Sequence, residues 1–564
     1  MTPCDDDTPP QVATSDERTS HRKNPAMHRG RALTIHPFVF TAYAILALAA
    51  ANIREIPVQQ AVRSFSLAIV AAAFLVLLLR VVFRDWHRAG AMATVLLLLF
   101  YTYGHVYALL ERVVLAGVVL GRHHYLLPIS GLAAILIGVW LMRRQEPPVQ
   151  TTRVLNFLSL VLLAFPVVTI GRTWLVLSRE EGVNPLTLAP RGTLTPRSDI
   201  PMPDIYYIIL DGYARSDFMR EGFGYDNSDF IRYLESEGFY VAQDSYTNYF
   251  RTAYSLASSL NMEYVQNLGV SLERSSYPTP FIGPIRDGAV RLRLEELGYA
   301  TVAMRSGYAA TEWIDADTYL SPDPVDLEEL AERPSLNAFE GLLVYTSGAT
   351  VLRDLGLEIV SRSGGIPRPD YPFELLRLII LAAFENLETA PRLPGPKFVF
   401  AHIVAPHSPY LFDALGEPLS PSGPFTLVED PVVASLSQSS QKYRGQAIFI
   451  TSKVRELVEQ ILVRSKTPPV IILQADHGYG GDWDSMDSPG VSQRAAILNA
   501  YYLPYGCDRL LYPSITPINT FRVVFNCYYN ASYPLLDDTV YYSYPPWVKG
   551  DGFIPINDRL LGDP

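Results

Sequence analysis

Cysteine and positive charge are both scarce in this sequence. Its 564 residues include three cysteines, Cys4, Cys507 and Cys527, and 46 Lys and Arg against 57 Asp and Glu. No C-x-x-C pair occurs, which argues against a zinc site built from cysteines. A formal net charge of -11 argues against nucleic acid as a partner, because a phosphate backbone needs a basic surface. If the C-terminal part is exported, Cys507 and Cys527 form either a disulfide or two buried free thiols.

Long apolar runs are abundant in the first third of the chain. Residues 1–33 are rich in Pro, Asp, Thr, Ser and Arg, which predicts a disordered cytoplasmic tail that is too polar for a secretory signal. Each run that follows is about long enough for a hydrocarbon core of ~30 Å at about 1.5 Å per residue. The five runs lie near Leu33–Ala51, Phe65–Phe83, Ala91–Leu110, Tyr125–Met142 and Val154–Leu175. The sequence therefore predicts a five-helix transmembrane domain over residues 34–177.

Basic residues are distributed unevenly around these runs. They cluster before the first run, after the second and after the fourth, for example at Arg29 and Arg31, Arg84 and Arg88, and Arg143 and Arg144. By the positive-inside rule the N-terminus is cytoplasmic, and five spans then leave the rest of the chain outside the cytoplasmic membrane. A count of four, with one re-entrant run, would reverse that side. Residues 178–203 carry five prolines and no apolar period, which predicts a linker.

Strand-like and helix-like patterns alternate from Asp204 onwards, which predicts an α/β domain with a largely parallel sheet over residues 204–564. Three apolar strands end in residues of the kinds that bind metals. Ile205–Leu210 precedes Asp211, Lys397–Ala401 leads into His402 and His407, and Pro469–Ala475 precedes Asp476 and His477. Open α/β sheets bind ligands at the carboxyl ends of their strands. Singly, each of these ends is also explained as an ordinary turn.

Thr252 stands just before an apolar helical face. That face consists of Ala253, Leu256, Ala257 and Leu260, at spacings i, i+3, i+4 and i+7. Thr252 is thus either a plain N-terminal cap or a hydroxyl placed where a helix start attracts a phosphate or sulfate. With Asp211, Asp476 and His477 it forms a set of two carboxylates, one imidazole and one hydroxyl that can bind one cation.

These residues resemble the alkaline phosphatase/sulfatase superfamily, specifically its membrane-anchored branch of lipoteichoic acid synthases and lipid A phosphoethanolamine transferases. The resemblance implies an alkaline phosphatase-like domain, a divalent metal held by Asp211, Thr252, Asp476 and His477, and Thr252 as nucleophile. It implies that His407 contacts the charged group of the substrate, with His402 as a weaker candidate. Arg305 is a further candidate for binding an anion.

The sequence departs from parts of the superfamily. Thr252-Ala-Tyr-Ser255 stands where formylglycine sulfatases carry a C/S-x-P-x-R motif. No histidine follows His477, which excludes a second zinc site that uses two later histidines. Asp211 replaces the glutamate that is usual in lipoteichoic acid synthases, so the substrate class stays open.

The predicted activity is the transfer of a phospho-group, such as a phosphodiester headgroup, through the threonine to an envelope lipid or glycan. The alternatives are a sulfatase-like hydrolase of phosphate or sulfate esters and an inactive scaffold or sensor of the same fold. Oxygen donors with one imidazole suit Mn²⁺, Mg²⁺ or Ca²⁺, and also admit Zn²⁺. The partners predicted are the lipid bilayer and a phosphate- or sulfate-bearing substrate.

Overall fold

A computed structural model of the chain describes residues 32–53, 56–111, 113–115, 118–177, 192–270, 279–332, 336–362, 371–420, 425–427, 436–481, 483, 485–543 and 552–560. Residues 1–31 of the predicted tail and residues 178–191 of the predicted linker lie outside these residues.

The described N-terminal part forms five helices. They are α1 (His36–Ala51), α2 (Ala61–Phe83), α3 (Trp86–Glu111), α4 (His123–Arg143) and α5 (Val149–Leu177). A short hairpin of β1 (Val114–Leu115) and β2 (Val118–Val119) joins α3 to α4. The four later helices are long and apolar enough to cross a membrane, but α1 has only 16 residues. At about 1.5 Å per residue it is about 24 Å long, less than the ~30 Å that was expected of every run.

Helix α1 is shorter than its apolar run because Pro37 sits in its first turn, where proline favours a helix start. It still packs as a member of the bundle. The His36 backbone N–H donates to Asn156 Oδ1 over 2.9 Å near the start of α5. At the other end, Ile45 and Ala49 pack with residues of the later domain, including Phe339. Helix α1 therefore runs in the same direction as α5.

The later domain is built on a seven-stranded sheet in the order β4-β9-β8-β3-β7-β5-β6. Its strands are β3 (Ile205–Leu210), β4 (Tyr240–Val241), β5 (Ala300–Met304), β6 (Thr318–Leu320), β7 (Lys397–Ile403), β8 (Val470–Gln474) and β9 (Asn499–Tyr502). Strand β3 pairs in parallel with β7 and β8, and β5 pairs in parallel with β6 and β7. Only β9 runs against its neighbours among these strands. The predicted largely parallel sheet is confirmed.

Helices cover both faces of this sheet. The described helices of this domain are α6 (Ser216–Phe223), α7 (Ser228–Ser236), α8 (Thr252–Asn261), α9 (Ile282–Arg286), α10 (Ala289–Glu296), α11 (Pro324–Glu332), α12 (Ala338–Thr346), α13 (Thr350–Arg362), α14 (Tyr371–Thr389), α15 (Leu436–Arg464), α16 (Gly490–Ala495), α17 (Pro517–Tyr528) and α18 (Asn557–Leu560). Of these, α8 and α17 lie in one of the two cores beside the sheet, and α14 and α15 lie in the other. A second hairpin consists of β10 (Tyr541–Ser543) and β11 (Phe553–Pro555).

Strand β3 shows why the sheet is central. All six of its side chains are buried, as expected of a strand covered on both faces. Ile205, Tyr207 and Ile209 enter one core together with α8 and α17. Their neighbours along the strand enter the other core, with α14 and α15. The period of two along a strand therefore assigns each residue to one of two layers.

A disulfide joins Cys507 to Cys527, which decides between the two alternatives that the sequence left open. The bridge closes a separation of 20 residues between the segment after β9 and helix α17. Disulfides persist in oxidising compartments. This bridge therefore fits a domain outside the cytoplasm.

Replacing both Cys507 and Cys527 by serine is expected to lower the free energy of unfolding by about 3 kcal/mol, because the bridge restricts the unfolded chain. Chemical denaturation of the purified full chain measures the change. Reducing agent should destabilise the original protein by a similar amount and leave the double variant unchanged. Equal stability of the two proteins would contradict the prediction.

Candidate active site

Three neighbouring strands deliver polar side chains to one point. Asp211 follows β3 directly, His402 lies in β7 opposite Ile209, and Asp476 and His477 follow β8. The Asp211 backbone N–H donates to Ile403 O over 3.0 Å, which continues the ladder past the strand end. The Gly212 N–H donates to Asp476 Oδ1 over 3.1 Å, so the two carboxyl-bearing turns are tied together.

Asp211, His402 and Asp476 face the same layer of the domain. Residues 205, 207 and 209 of β3, 398 and 400 of β7, and 470 and 472 of β8 belong to the core that contains α8. Asp211 lies two residues after Ile209, and His402 lies two residues after Phe400. Asp476 lies four residues after Ile472, so all three have the same parity as these core residues. The alternation of strand side chains thus turns these three groups towards α8. His402, the weaker candidate from the sequence, shares this face.

Thr252 opens α8, and the structure corrects its predicted role as a cap. The helix begins at Thr252, the capping position belongs to Arg251, and no side chain caps the N-terminus there. The Thr252 hydroxyl instead lies 3.3 Å from His477 Nε2. The predicted apolar face is buried, but so are all the other residues of α8. The threonine is therefore fixed in the core layer, with its hydroxyl turned to the site.

The imidazole of His477 is the meeting point of the predicted ligands. Its Nε2 lies 3.5 Å from Asp211 Oδ1 and 3.3 Å from Asp476 Oδ2. With the contact to Thr252, all four predicted metal ligands converge. His402 Nε2 lies 3.3 Å from Asp211 Oδ2 and joins the cluster from the side of β7.

Three atoms of this cluster test whether it suits a cation. Asp211 Oδ1, Asp476 Oδ2 and His402 Nε2 are buried and have no hydrogen-bond partner among the described residues. Leaving such groups unsatisfied away from water is costly. Potential ligand atoms of Asp211, His402 and Asp476 lie within 4.8 Å of one another, as do those of Asp211, His407 and His477. A divalent cation bound here would satisfy these acceptors, so the residues fit a metal.

The charges of the cluster point the same way. Burial raises the pKa of Asp476 to about 7, and the negative charge of nearby Asp211 adds to this rise. Burial also acts on Asp211, but the neighbouring His407, His402 and His477 outweigh it and hold the pKa of Asp211 below its ordinary value. Two adjacent buried carboxylates repel each other. A divalent cation between them removes that conflict.

Arg494 is a site residue that the sequence analysis missed. Its guanidinium is buried, with Nη2 at 3.0 Å from His477 Nε2 and Nε donating to Phe250 O over 3.0 Å. Burial and the charge of Arg494 lower the pKa of His477 well below its usual value. The imidazole is therefore neutral, which is the form that binds metals. Arg494 lies in the six-residue helix α16, too short to show a period in the sequence.

Trp483 joins Arg494 to the start of α8. The Arg494 and Arg251 guanidinium carbons lie 5.2 Å and 5.6 Å from the centre of the Trp483 ring. The ring itself is buried against Phe250 and Tyr542. Trp483 therefore has a core position that borders the site.

The two other predicted histidines differ in their surroundings. His402 Nδ1 and Thr311 Oγ1 are 2.9 Å apart, which orients the ring so that Nε2 faces Asp211. His407 is buried beside the cluster, with its ring centre 5.8 Å from that of His477. Gln446 Nε2 donates to the His407 carbonyl over 2.9 Å and holds that turn in place.

Two further arginines, Arg215 and the Arg305 that the sequence proposed for anion binding, have their own contacts elsewhere. Arg215 is engaged with Asp217, at 2.9 Å and 2.8 Å for two N–H to oxygen contacts. Arg305 follows β5, and its backbone N–H donates to Leu320 O over 2.8 Å. No contact within the described part of the chain joins the Arg305 side chain to Asp211, Thr252, Asp476 or His477. Its anion-binding role stays a prediction.

Comparison with known proteins gives matches among solved structures alone. No family model and no curated protein matches the sequence. The C-terminal periplasmic domain of EptC from Escherichia coli matches at 10% identity and a TM-score of 0.40, over 65% of this chain and 96% of that chain.

Two further matches have similar extents. The periplasmic domain of phosphoethanolamine transferase EptC from Campylobacter jejuni has 10% identity and a TM-score of 0.34, over 58% of this chain and 91% of that chain. The phosphonate monoester hydrolase of Agrobacterium radiobacter has 12% identity and a TM-score of 0.38, over 64% of this chain and 83% of that chain. The resemblance to the alkaline phosphatase/sulfatase superfamily and its membrane-anchored branch rests on the sequence motifs of the chain.

Proposed function

We propose that this chain is a membrane-anchored, metal-dependent enzyme that transfers a phospho-group through Thr252 to an envelope lipid or glycan. The observation that supports the proposal is the convergence of the Thr252 hydroxyl, Asp211, Asp476 and His477 on one buried point. A merely structural cluster would pair its polar atoms, whereas here two carboxylate oxygens and one ring nitrogen lack partners among the described residues.

Asp211, Thr252, Asp476 and His477 would hold the cation. When bound, a divalent ion lowers the pKa of an alcohol and draws charge from phosphoryl oxygens. Thr252 Oγ attacks the phosphorus in line with the departing group. A bond forms between Thr252 Oγ and phosphorus, the bond to the leaving oxygen breaks, and the threonine proton is lost to solvent.

His407 serves the departing oxygen in this scheme. From its position beside His477 it gives a proton to the leaving group as the phosphothreonine forms. An acceptor hydroxyl then attacks the phosphorus, His407 takes its proton, and the Thr252 oxygen departs and is protonated again. If water takes the place of the acceptor, the same steps give a hydrolase.

The membrane topology completes the proposal. Helix α5 and the parallel α1 end on the side of the catalytic domain, and the loops after α2 and α4 lie on the other side with Arg84, Arg143 and Arg144. Positive loops mark the cytoplasmic side. The disulfide independently favours an extracytoplasmic domain. A site held beside the bilayer favours a lipid-borne donor or acceptor.

Product analysis tests the reaction. The purified full chain is incubated with a headgroup phosphodiester lipid, with and without an acceptor glycolipid, and the products are identified by mass spectrometry. Transfer of the phospho-group to the acceptor supports the proposal. Release to water at the same rate in both reactions indicates the hydrolase instead, and no turnover with any divalent ion indicates a scaffold.

Replacing Arg494 by lysine is expected to lower turnover by about 100-fold and leave metal content unchanged, because one fixed donor beside developing charge has about that effect. Lysine keeps the charge but lacks the planar guanidinium, which contacts Phe250 O and His477 Nε2 at the same time. Arg215→Lys is the matched control, because the Arg215 guanidinium pairs with Asp217 in the original protein. Steady-state kinetics with elemental analysis check the result, and equal losses in both variants would refute it.

A further inference from the structure

One segment of the catalytic domain reaches down to the level of the bilayer. It comprises α12, the turn after it and the start of α13, residues 338–356, and is called here the interfacial segment. We propose that the interfacial segment is inserted in the leaflet on the side of the catalytic domain, and that acyl chains cover its exposed leucines. The proposal rests on the assignment of α1–α5 as membrane helices, but does not depend on the chemistry of Thr252.

The level of the bilayer edge is given by α4. Its 21 residues are about 32 Å long, close to the ~30 Å of a hydrocarbon core. Its first residue, His123, therefore marks one edge. The His123 ring stacks on Tyr107 with centres 4.4 Å apart, and its Nδ1 lies 2.9 Å from the Tyr103 hydroxyl. Residues 103–107 of α3 thus lie at the same edge.

The interfacial segment meets α3 at that level or below it. The Gly348 N–H donates to Phe100 O over 2.7 Å, and Phe100 is almost one turn deeper than Tyr103. A Cβ at Gly104 would lie 2.3 Å from Tyr345 O, so the two backbones are in direct contact. Asp354 Oδ2 lies 2.8 Å from His123 Nε2, which fixes α13 to the start of α4.

Helix α12 has the composition of a helix that avoids water. Its nine residues, AFEGLLVYT, include one charged side chain, Glu340. That carboxylate accepts two hydrogen bonds from Arg63 of α2 and is buried. A helix that is apolar all round belongs in a core or a membrane. Phe339 lies in a core, where it packs with Ile45 and Ala61 of the membrane helices.

Helix α13 contributes an exposed apolar surface to the interfacial segment. Leu352 and Leu355 are 74% and 51% exposed, and their spacing of three residues puts them on one face. They flank Asp354, whose contact with His123 holds them at the bilayer edge. An exposed apolar face at that depth lies level with the end of the membrane helix α4. Acyl chains are therefore the occupant that its position favours.

Nitroxide accessibility in lipid nanodiscs tests the insertion. Single cysteines replace Leu352 or Leu355 in a full-length Cys4→Ser protein, whose remaining cysteines are bridged, and carry a spin label. Phe74→Cys on α2, 69% exposed, is the lipid reference, and Leu415→Cys, 84% exposed on the catalytic domain, is the water reference. The ratio of collision with oxygen to collision with a water-soluble nickel chelate is compared between sites.

We expect the ratio at Leu352→Cys and Leu355→Cys to be several-fold higher than at Leu415→Cys and to approach that at Phe74→Cys. A ratio equal to that of Leu415→Cys overturns the proposal, because the face is then in water. Low collision with both reagents also overturns it, since protein then covers the face. A water-like ratio at Phe74→Cys would instead refute the membrane assignment itself.

Discussion

Replacing Thr252 by alanine is expected to lower turnover by more than about 1000-fold, because the variant lacks the atom that attacks phosphorus. The fold should tolerate the change. The Thr252 side chain does not cap α8, and alanine is favourable in a helix, so the free energy of unfolding should change by less than about 1 kcal/mol. Steady-state kinetics and thermal unfolding of the full-length protein measure the two effects.

Two variants serve as controls for this result. Thr252→Ser keeps a hydroxyl at the same position and should retain measurable turnover. Ser255→Ala removes a buried hydroxyl one turn further along, whose oxygen lies 3.2 Å from Thr247 Oγ1 and takes no part in the cluster. Acid quenching during turnover should trap a phospho-group on Thr252 of the original protein. A phospho-group on another residue, or full activity in Thr252→Ala, would contradict the mechanism.

The strands and the residues that converge at their ends were predictable from the sequence for a physical reason. A strand buried on both faces needs a continuous apolar run, and β3, β7 and β8 each have one. Parallel strands place their carboxyl ends at one edge, so Asp211, Asp476 and His477 were expected to converge and do so. Side-chain parity could have added His402 to that set, since it shares the face of Asp211.

Other features depend on tertiary packing that leaves no periodic signal. Arg494 reaches His477 from a six-residue helix, and its role follows from a contact across 17 positions in the chain. The role of Thr252 as cap or first helical residue depends on the backbone angles of Arg251, which a pattern does not specify. The apolar run near Leu33–Ala51 does not specify where α1 begins. In the structure the helix begins at His36, with Pro37 in its first turn.

The interfacial segment shows a further limit. The run from Ala338 to Thr346 is apolar but only nine residues long, which is equally typical of a core helix. Its position beside α2 and α3 comes from long-range contacts, such as the Arg63–Glu340 ion pair and the hydrogen bond from the Gly348 N–H to Phe100 O. The later domain and the N-terminal helices are therefore joined by packing as well as by the chain, which the division into separate domains did not predict.

Replacing Asp476 by asparagine is expected to lower the metal content of the purified protein by more than about 100-fold, with a comparable loss of turnover. Asparagine Oδ1 can still accept the hydrogen bond from the Gly212 N–H, so the turn after β8 should persist. The substitution also removes a negative charge that faces Asp211 in a buried site. Without metal, the variant should therefore be at least as stable as the original protein.

Thermal unfolding with and without a chelator separates metal loss from misfolding. A cation at 100 times its dissociation constant stabilises the folded state by about 2.7 kcal/mol, so a chelator should lower the melting temperature of the original protein. It should leave that of Asp476→Asn unchanged. Asp217→Asn, which alters an outer carboxylate paired with Arg215, should keep both its metal and its response to the chelator. Full metal content in Asp476→Asn would mean that the cation is not held between Asp476 and Asp211, and the proposed role of Thr252 would lose its basis.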